Sequence, residues 1–200
     1  MNFQANFFQK TLEIAETLKT CPELEQIVDL LLDVKHKQGR IFFVGSGGGA
    51  GHASHATCDF RKLGGFEVYC PTDNVSELTA RINDEGLDSS IANCLKAMRI
   101  CSKDLLFVFS VGGGNEEKNI SNNLVQAIKL AKEVGALVTG VVGRDGGYTK
   151  QQADACIVVP TVDGELVTPL TESYQAVVWH YLVSHPRIQV QKAKWESTTK

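Results

Sequence analysis

The sequence has no C-x-x-C pair, no apolar run approaching the roughly 18 residues that a bilayer span needs, and no strong excess of either charge. Each absence closes off a class of function. Cys21, Cys58, Cys70, Cys94, Cys101 and Cys156 are scattered, so neither a disulfide scaffold nor a cysteine zinc framework is expected, and the thiols read as reduced, buried and cytosolic. A formal net charge of −3 is too mild to point to nucleic acid or an anionic membrane, which leaves a small molecule or another copy of the chain as partner. The opening MNFQANFFQKTLEIAETLK contains Glu13 and Glu16 and lacks a continuous apolar region or a small-residue cleavage pattern, so a soluble, cytoplasmic, non-exported protein is expected.

What is present suits one core. The 200 residues are 43% hydrophobic, with no internal repeat, low-complexity tract or interdomain linker. Residues 3–19 carry Phe3, Phe7, Leu12, Ile14, Ala15 and Leu18 at mostly helical spacing, and Pro22 opens a second amphipathic segment through Ile27, Leu30, Leu31 and Val34. β-rich runs then alternate with helical patterns: 40–45, 66–70, 104–110, 136–143 and 155–160. Near-continuous apolar strands with room for crossovers between them predict an α/β fold with a five-stranded parallel sheet buried on both faces. Two helices are sharply bounded, 116–134 between Asn115 and Gly135, and 169–184 before His185-Pro186. The tail from Gln189 is polar apart from Trp195, a candidate anchor to a neighbouring surface.

The first strand runs into Gly45-Ser46-Gly47-Gly48-Gly49-Ala50-Gly51, and the third into Ser110-Val111-Gly112-Gly113-Gly114-Asn115. In an open α/β sheet ligands gather beyond the carboxyl ends of strands, and glycine-freed N–H groups at a helix start cradle anions, so two such loops predict phosphate binding. The first loop also satisfies G-x-G-x-x-A, with Asp73 downstream. However, Asp73 falls beyond the strand tip where a ribose-binding carboxylate belongs, and no nucleotide cofactor is expected.

If residues 51–63 are helical, His52, His55 and Asp59 fall within about 60° of one another on one face. His52 reads as exposed or capping. His55 and Asp59, an i, i+4 pair, suit a divalent metal or a proton-transfer couple. Glu172 and His180, eight residues apart on the late helix, are separated by ~12 Å along its axis. That spacing flanks an extended substrate more naturally than it holds one ion, unless Glu172 lies in a first turn bent at Pro169; His180 alone also reads as a hydrogen-bonded core histidine.

These motifs together resemble a sugar isomerase (SIS) domain and, within it, the phosphoheptose isomerase family. The likeness takes in Val44-Gly45-Ser46-Gly47-Gly48, His55 to Asp59, Asn83-Asp84, Ser110, Gly143-Arg144-Asp145-Gly146-Gly147, Ala153-Asp154 and Pro169 through His180. The resemblance implies a single SIS domain over 1–200, with a helical segment at 1–38, an α/β core at 39–188 and a tail at 189–200. It implies an aldose–ketose isomerase converting sedoheptulose 7-phosphate to D-glycero-D-manno-heptose 7-phosphate through an enediol(ate), with zinc or another divalent metal possible and a homotetramer sharing active sites between subunits.

Carried over by position, His180, Asp59 and Glu172 are the candidate acid–base groups, and His55, Asp59, Glu172 and His180 the candidate metal ligands. Ser46, Gly47, Gly48, Ser110, Gly112, Gly113, Gly114 and Asn115 would hold the phosphate, with Arg61, Asp73, Asn83 and Asp84 as further substrate contacts. The chain departs from the family pattern in having Asp59 for a glutamate and Glu172 for a glutamine, and in lacking most of the phosphate-loop hydroxyls. Those losses keep open a rival reading, a non-catalytic SIS module that binds a sugar phosphate and regulates or docks onto a partner protein.

Overall fold

The computed structural model describes residues 2–198. Strands β1 (Ile41–Gly45), β2 (Val68–Tyr69), β3 (Leu105–Ser110), β4 (Leu137–Val142) and β5 (Ala155–Val158) form one sheet in the order β2-β1-β3-β4-β5. Every pairing is parallel. Alternate residues of β1 and β3 point to opposite faces. Ile41, Phe43, Leu105, Phe107 and Phe109 enter one core, and Phe42, Val44, Leu106 and Val108 enter the other. Both faces are dry, which is why the strand sequences read as unbroken apolar runs.

Helices α1 (Phe3–Leu18), α2 (Glu23–His36), α3 (Gly48–Lys62) and α8 (Val167–Ser184) supply the first core through Ile14, Leu31, Phe60 and Trp179. Helices α5 (Leu87–Ala97) and α6 (Asn122–Glu133) supply the second through Leu95, Leu124 and Ile128. Helices α4 (Val75–Glu85), α7 (Gly147–Gln152) and α9 (Lys194–Thr198) complete the chain. The α/β class, the two leading helices and the five-stranded parallel sheet expected from the sequence are all present. Among the described residues no helix is long and apolar enough to cross a membrane.

Three expectations need correction. Helix α6 does not start at Asn115, because Asn115 Oδ1 accepts a hydrogen bond from Lys118 N at 2.8 Å and Asn115 bridges Ile120, closing a small loop. The helix begins only after Ser121, whose φ of +50° redirects the chain. Strand β2 shrinks to two paired residues at the sheet edge before the turn at Pro71. All six cysteines are free, but only Cys70 and Cys94 are buried, with Cys58 and Cys101 exposed. Burial pushes the Cys94 thiol up to about 11, so it is no nucleophile. The tail is tied by its main chain, Val190 N and Gln191 N donating to Leu63 O at 2.8 and 3.1 Å.

One ion pair locks the amino ends of β1 and β3. Arg40 donates from its backbone N, from Nε and from Nη2 to the buried Asp104 carboxylate, at 2.8, 3.2 and 2.7 Å, and Cys101 N adds a fourth bond at 2.8 Å. Burial alone would raise the Asp104 pKa, but the hydrogen bonds from Arg40 and Cys101 outweigh it and hold the carboxyl below its usual range. The folded pKa is thus lower than the unfolded value of about 3.9, so this stabilisation is complete above that value and is lost as pH falls through the folded one. Asp104→Asn, which leaves Arg40 without its counter-charge, should cost about 3 kcal/mol in urea unfolding at neutral pH and flatten the acid limb of the stability curve.

Candidate active site

Strand β1 ends at Gly45 because α3 begins directly above it. A methyl group on Gly45 would stand 2.3 Å from the Gly49 carbonyl carbon, and one on Gly49 would stand 2.3 Å from the Phe109 oxygen. Gly47, at φ +57°, makes the turn. The sheet order reverses between β1 and β3, and a crevice opens at such a switch point. Here it is a cleft of about 740 Å³ whose lining includes Ser46, Gly47, Ser54, Asp73, Ser121 and Asn123.

Two helix starts meet in this cleft, α3 through Gly47 and α6 through Ser121. Asn123 Nδ2 donates to Ser46 Oγ at 3.2 Å, joining them, and the Ser121 side chain makes no capping bond. Unpaired N–H groups with a hydroxyl beside them suit an anion. Ser121 and Asn123 are absent from the residues expected on sequence grounds. Their signal was the Ser121-Asn122-Asn123 ahead of Leu124-Val125, a helix start masked by Asn115.

The second glycine loop is shaped by packing. A methyl group on Gly113 would lie 1.9 Å from Gly146 O, and one on Gly147 would lie 2.2 Å from Gly112 O. Gly113 N donates to Ser110 Oγ at 3.0 Å, while the Gly113 and Gly114 carbonyls accept from Thr149 N and Tyr148 N. The loop is thereby stitched to the Asp145-Gly146-Gly147 turn. Asn115 lines a different hollow with Asp145 and Tyr148.

The other flank of α3 faces α8. One potential ligand atom from each of His55, Asp59 and His180 lies within 4.8 Å of the others. His55 Nε2 is 4.0 Å from Asp59 Oδ2. His180 Nδ1 is 2.7 Å from Ala176 O, and since a carbonyl only accepts, this nitrogen donates and leaves Nε2 for a ligand, substrate or proton. A hollow of about 530 Å³ borders Asp59 and His180, with Lys62, Lys192 and Glu196 on its walls.

Glu172, two turns earlier on α8, does not join this group. A methyl on Gly48 would come within 2.5 Å of Glu172 Oε1, so the carboxylate lies over the start of α3. His52 is half-buried there, and burial holds its imidazole below the usual pKa despite the opposing Glu172 charge. The four residues expected to hold a metal thus resolve into three together and one apart, as the axial spacing of Glu172 and His180 implied. Two imidazoles and a carboxylate with an open side fit zinc or a similar divalent ion.

The remaining candidates are dispersed. Asp73 borders the switch-point cleft. Arg61 Nε donates to Val68 O at 2.7 Å and its guanidinium lies over the Tyr69 ring, a tie between α3 and β2. Asn83 and Asp84 are exposed on α4 and bonded to each other at 2.8 Å.

A family model described as SIS domain matches residues 6–143. Helix α8, with His180, lies beyond that stretch. The lincomycin biosynthesis protein LmbN of Streptomyces lincolnensis is 36% identical over 163 residues, covering 78% of this chain and 59% of LmbN, so the chain spans less than two thirds of that relative. A phosphoheptose isomerase of Aliarcobacter butzleri is 31% identical over 160 residues, 75% of this chain and 79% of its own. Among solved structures, phosphoheptose isomerase GmhA from Neisseria gonorrhoeae aligns with a TM-score of 0.77 at 24% identity, over 90% of this chain and 94% of its own, a likeness of fold.

Substitution tests the close packing of the second loop against the Asp145-Gly146-Gly147 turn. Gly113→Ala and Gly147→Ala, both at positive φ and against backbone, should each cost about 2 kcal/mol or more. Gly112→Ala, whose nearest neighbour is Arg144 Cδ at 4.0 Å, should leave stability within about 0.5 kcal/mol by the same thermal unfolding measurement.

Proposed function

Because the chain belongs to the SIS-domain family, and within it to the phosphoheptose isomerases, we propose that it interconverts sedoheptulose 7-phosphate and the corresponding aldose 7-phosphate. The observation that carries this reading is the convergence of His55, Asp59 and His180 on the seam of α3 and α8. Isomerisation needs a base at C1, an acid or base at C2, and support for negative charge on the two oxygens between the transfers.

Asp59 and His180 are the groups placed for this work. One removes the proton from C1 of the ketose as electrons move onto the C2 oxygen, giving the cis-enediol(ate). The proton then returns to C2 and the O1 proton passes to the C2 oxygen, which leaves the aldehyde at C1 and a hydroxyl at C2, so no atom enters or leaves. Asp59 takes the base role here in preference to Glu172, which stands away from the cluster over Gly48. In the alternative form, His55, Asp59 and His180 would hold a divalent ion that polarises the substrate's carbonyl oxygen, and Asp59 and His180 would then serve as ligands in place of their proton-transfer roles. The phosphate would be gripped in the switch-point cleft by the starts of α3 and α6, with Ser46, Ser121 and Asn123 as side-chain donors.

Within one chain these two halves do not face each other. Ala50 and Ser54 line the cleft, whereas His55 and Asp59 emerge ~100–180° away around α3, across a helix about 10 Å thick. A single substrate therefore needs the cleft of one copy beside the cluster of another. Exposed apolar side chains on α1, Phe3 (71%), Phe8 (60%) and Leu12 (60%), suit burial against such a copy, and a homotetramer is the proposed assembly.

His180→Ala and Asp59→Asn should each lower kcat by at least about 100-fold, and Ser121→Ala should mainly raise KM. Mixing inactive His180→Ala protein with an inactive cleft variant, Gly47→Trp, under conditions that exchange subunits should restore part of the activity. A mixture as inactive as its components would refute sharing between copies.

A further inference from the structure

We propose that Trp179 is the positioning residue of the His55–Asp59–His180 cluster, its indole forming the surface against which both imidazoles are held. The inference rests on reading that cluster as the reacting centre. His55 and His180 are exposed side chains on separate helices, and such side chains ordinarily sample several rotamers. His180 has one polar tether, to Ala176 O. The Asp59 carboxylate, 4.0 Å from His55 Nε2, is beyond hydrogen-bond range.

What the two rings share is Trp179. Its ring centroid is 4.7 Å from that of His55, tilted by 59°, and 3.4 Å from that of His180, stacked at 28°. The imidazoles themselves are edge-on to each other at 5.8 Å. Trp179 is 1% exposed and belongs to the core that also holds Phe60 and Leu182. A side chain fixed by close packing thus carries its order out to two surface groups that have little of their own.

The choice of indole is not explained by packing alone. Trp179 Nε1 is buried with no hydrogen-bond partner, a desolvated donor that phenylalanine or leucine would not bring to the same place. The flat face is the property that the histidines use, and it also closes one side of the pair to water.

The test compares Trp179→Phe, which keeps an aromatic face and removes the orphan donor, with Trp179→Leu, which removes both. Thermal unfolding should leave the two variants alike. Trp179→Phe should keep kcat and Co²⁺ affinity within about threefold of the unsubstituted protein, whereas Trp179→Leu should lose about tenfold or more in each, with KM nearly unchanged. Equal kcat and equal Co²⁺ affinity in the two variants would overturn the proposal.

Histidine side-chain NMR tests the contact independently of turnover and of whether Trp179→Leu folds. The His55 and His180 ring signals, identified by their loss in His55→Ala and His180→Ala, should be displaced upfield by the indole and move in Trp179→Phe. Unshifted signals would overturn the proposal. Shifted signals in a protein that neither turns over substrate nor binds Co²⁺ would remove the activity reading and leave the positioning role standing.

Discussion

The backbone contact of Gly49 on the Phe109 carbonyl sets the position of everything functional in this fold. There is room there for a hydrogen and not for a methyl. Because α3 sits that low over β1 and β3, its first turn opens into the switch-point cleft and its far flank lies against α8. Lift α3 by the width of a methyl group and both arrangements loosen together: the cleft at its start and the meeting of His55 and Asp59 with His180. The stacked and tilted rings of Phe43, Phe60, Phe107 and Phe109 fill the space beneath the helix and resist such a shift.

The layered fold was legible in the sequence because a parallel sheet covered on both sides leaves unbroken apolar runs, and five of them are present. The His55–Asp59 pair was legible too, since it depends only on helical periodicity. The start of α6 was not, because Asn115 carries the same capping chemistry as a true helix start and spends it on a local loop with Lys118. The glycines at 112–114 carry two causes at once. Close approach to the Asp145-Gly146-Gly147 turn demands glycine as firmly as phosphate binding would, and composition does not separate the two causes. Glu172 lies apart from His180, over Gly48, at the distance that the rise of the helix expects.

The substitutions in the acid–base set acquire a physical meaning from this geometry. Asp59 is short, so a carboxylate at that site depends on a close and well-ordered α3–α8 seam, and the buried Trp179 lies in that seam. Glu172, set over the first turn of α3, faces the positive end of that helix and leaves the cluster with a single carboxylate. Ser121 and Asn123 bring a hydroxyl and an amide to the cleft from the start of α6.

Proton exchange is the chemistry at stake, and it can be watched directly. Sedoheptulose 7-phosphate incubated with the purified, metal-analysed protein in deuterium oxide should gain deuterium at C1 of the recovered ketose and at C2 of a new aldose 7-phosphate, both visible by NMR. Saturable binding of the sugar phosphate with no deuterium at either carbon and no aldose would contradict the account and leave a sugar-phosphate binding module in its place.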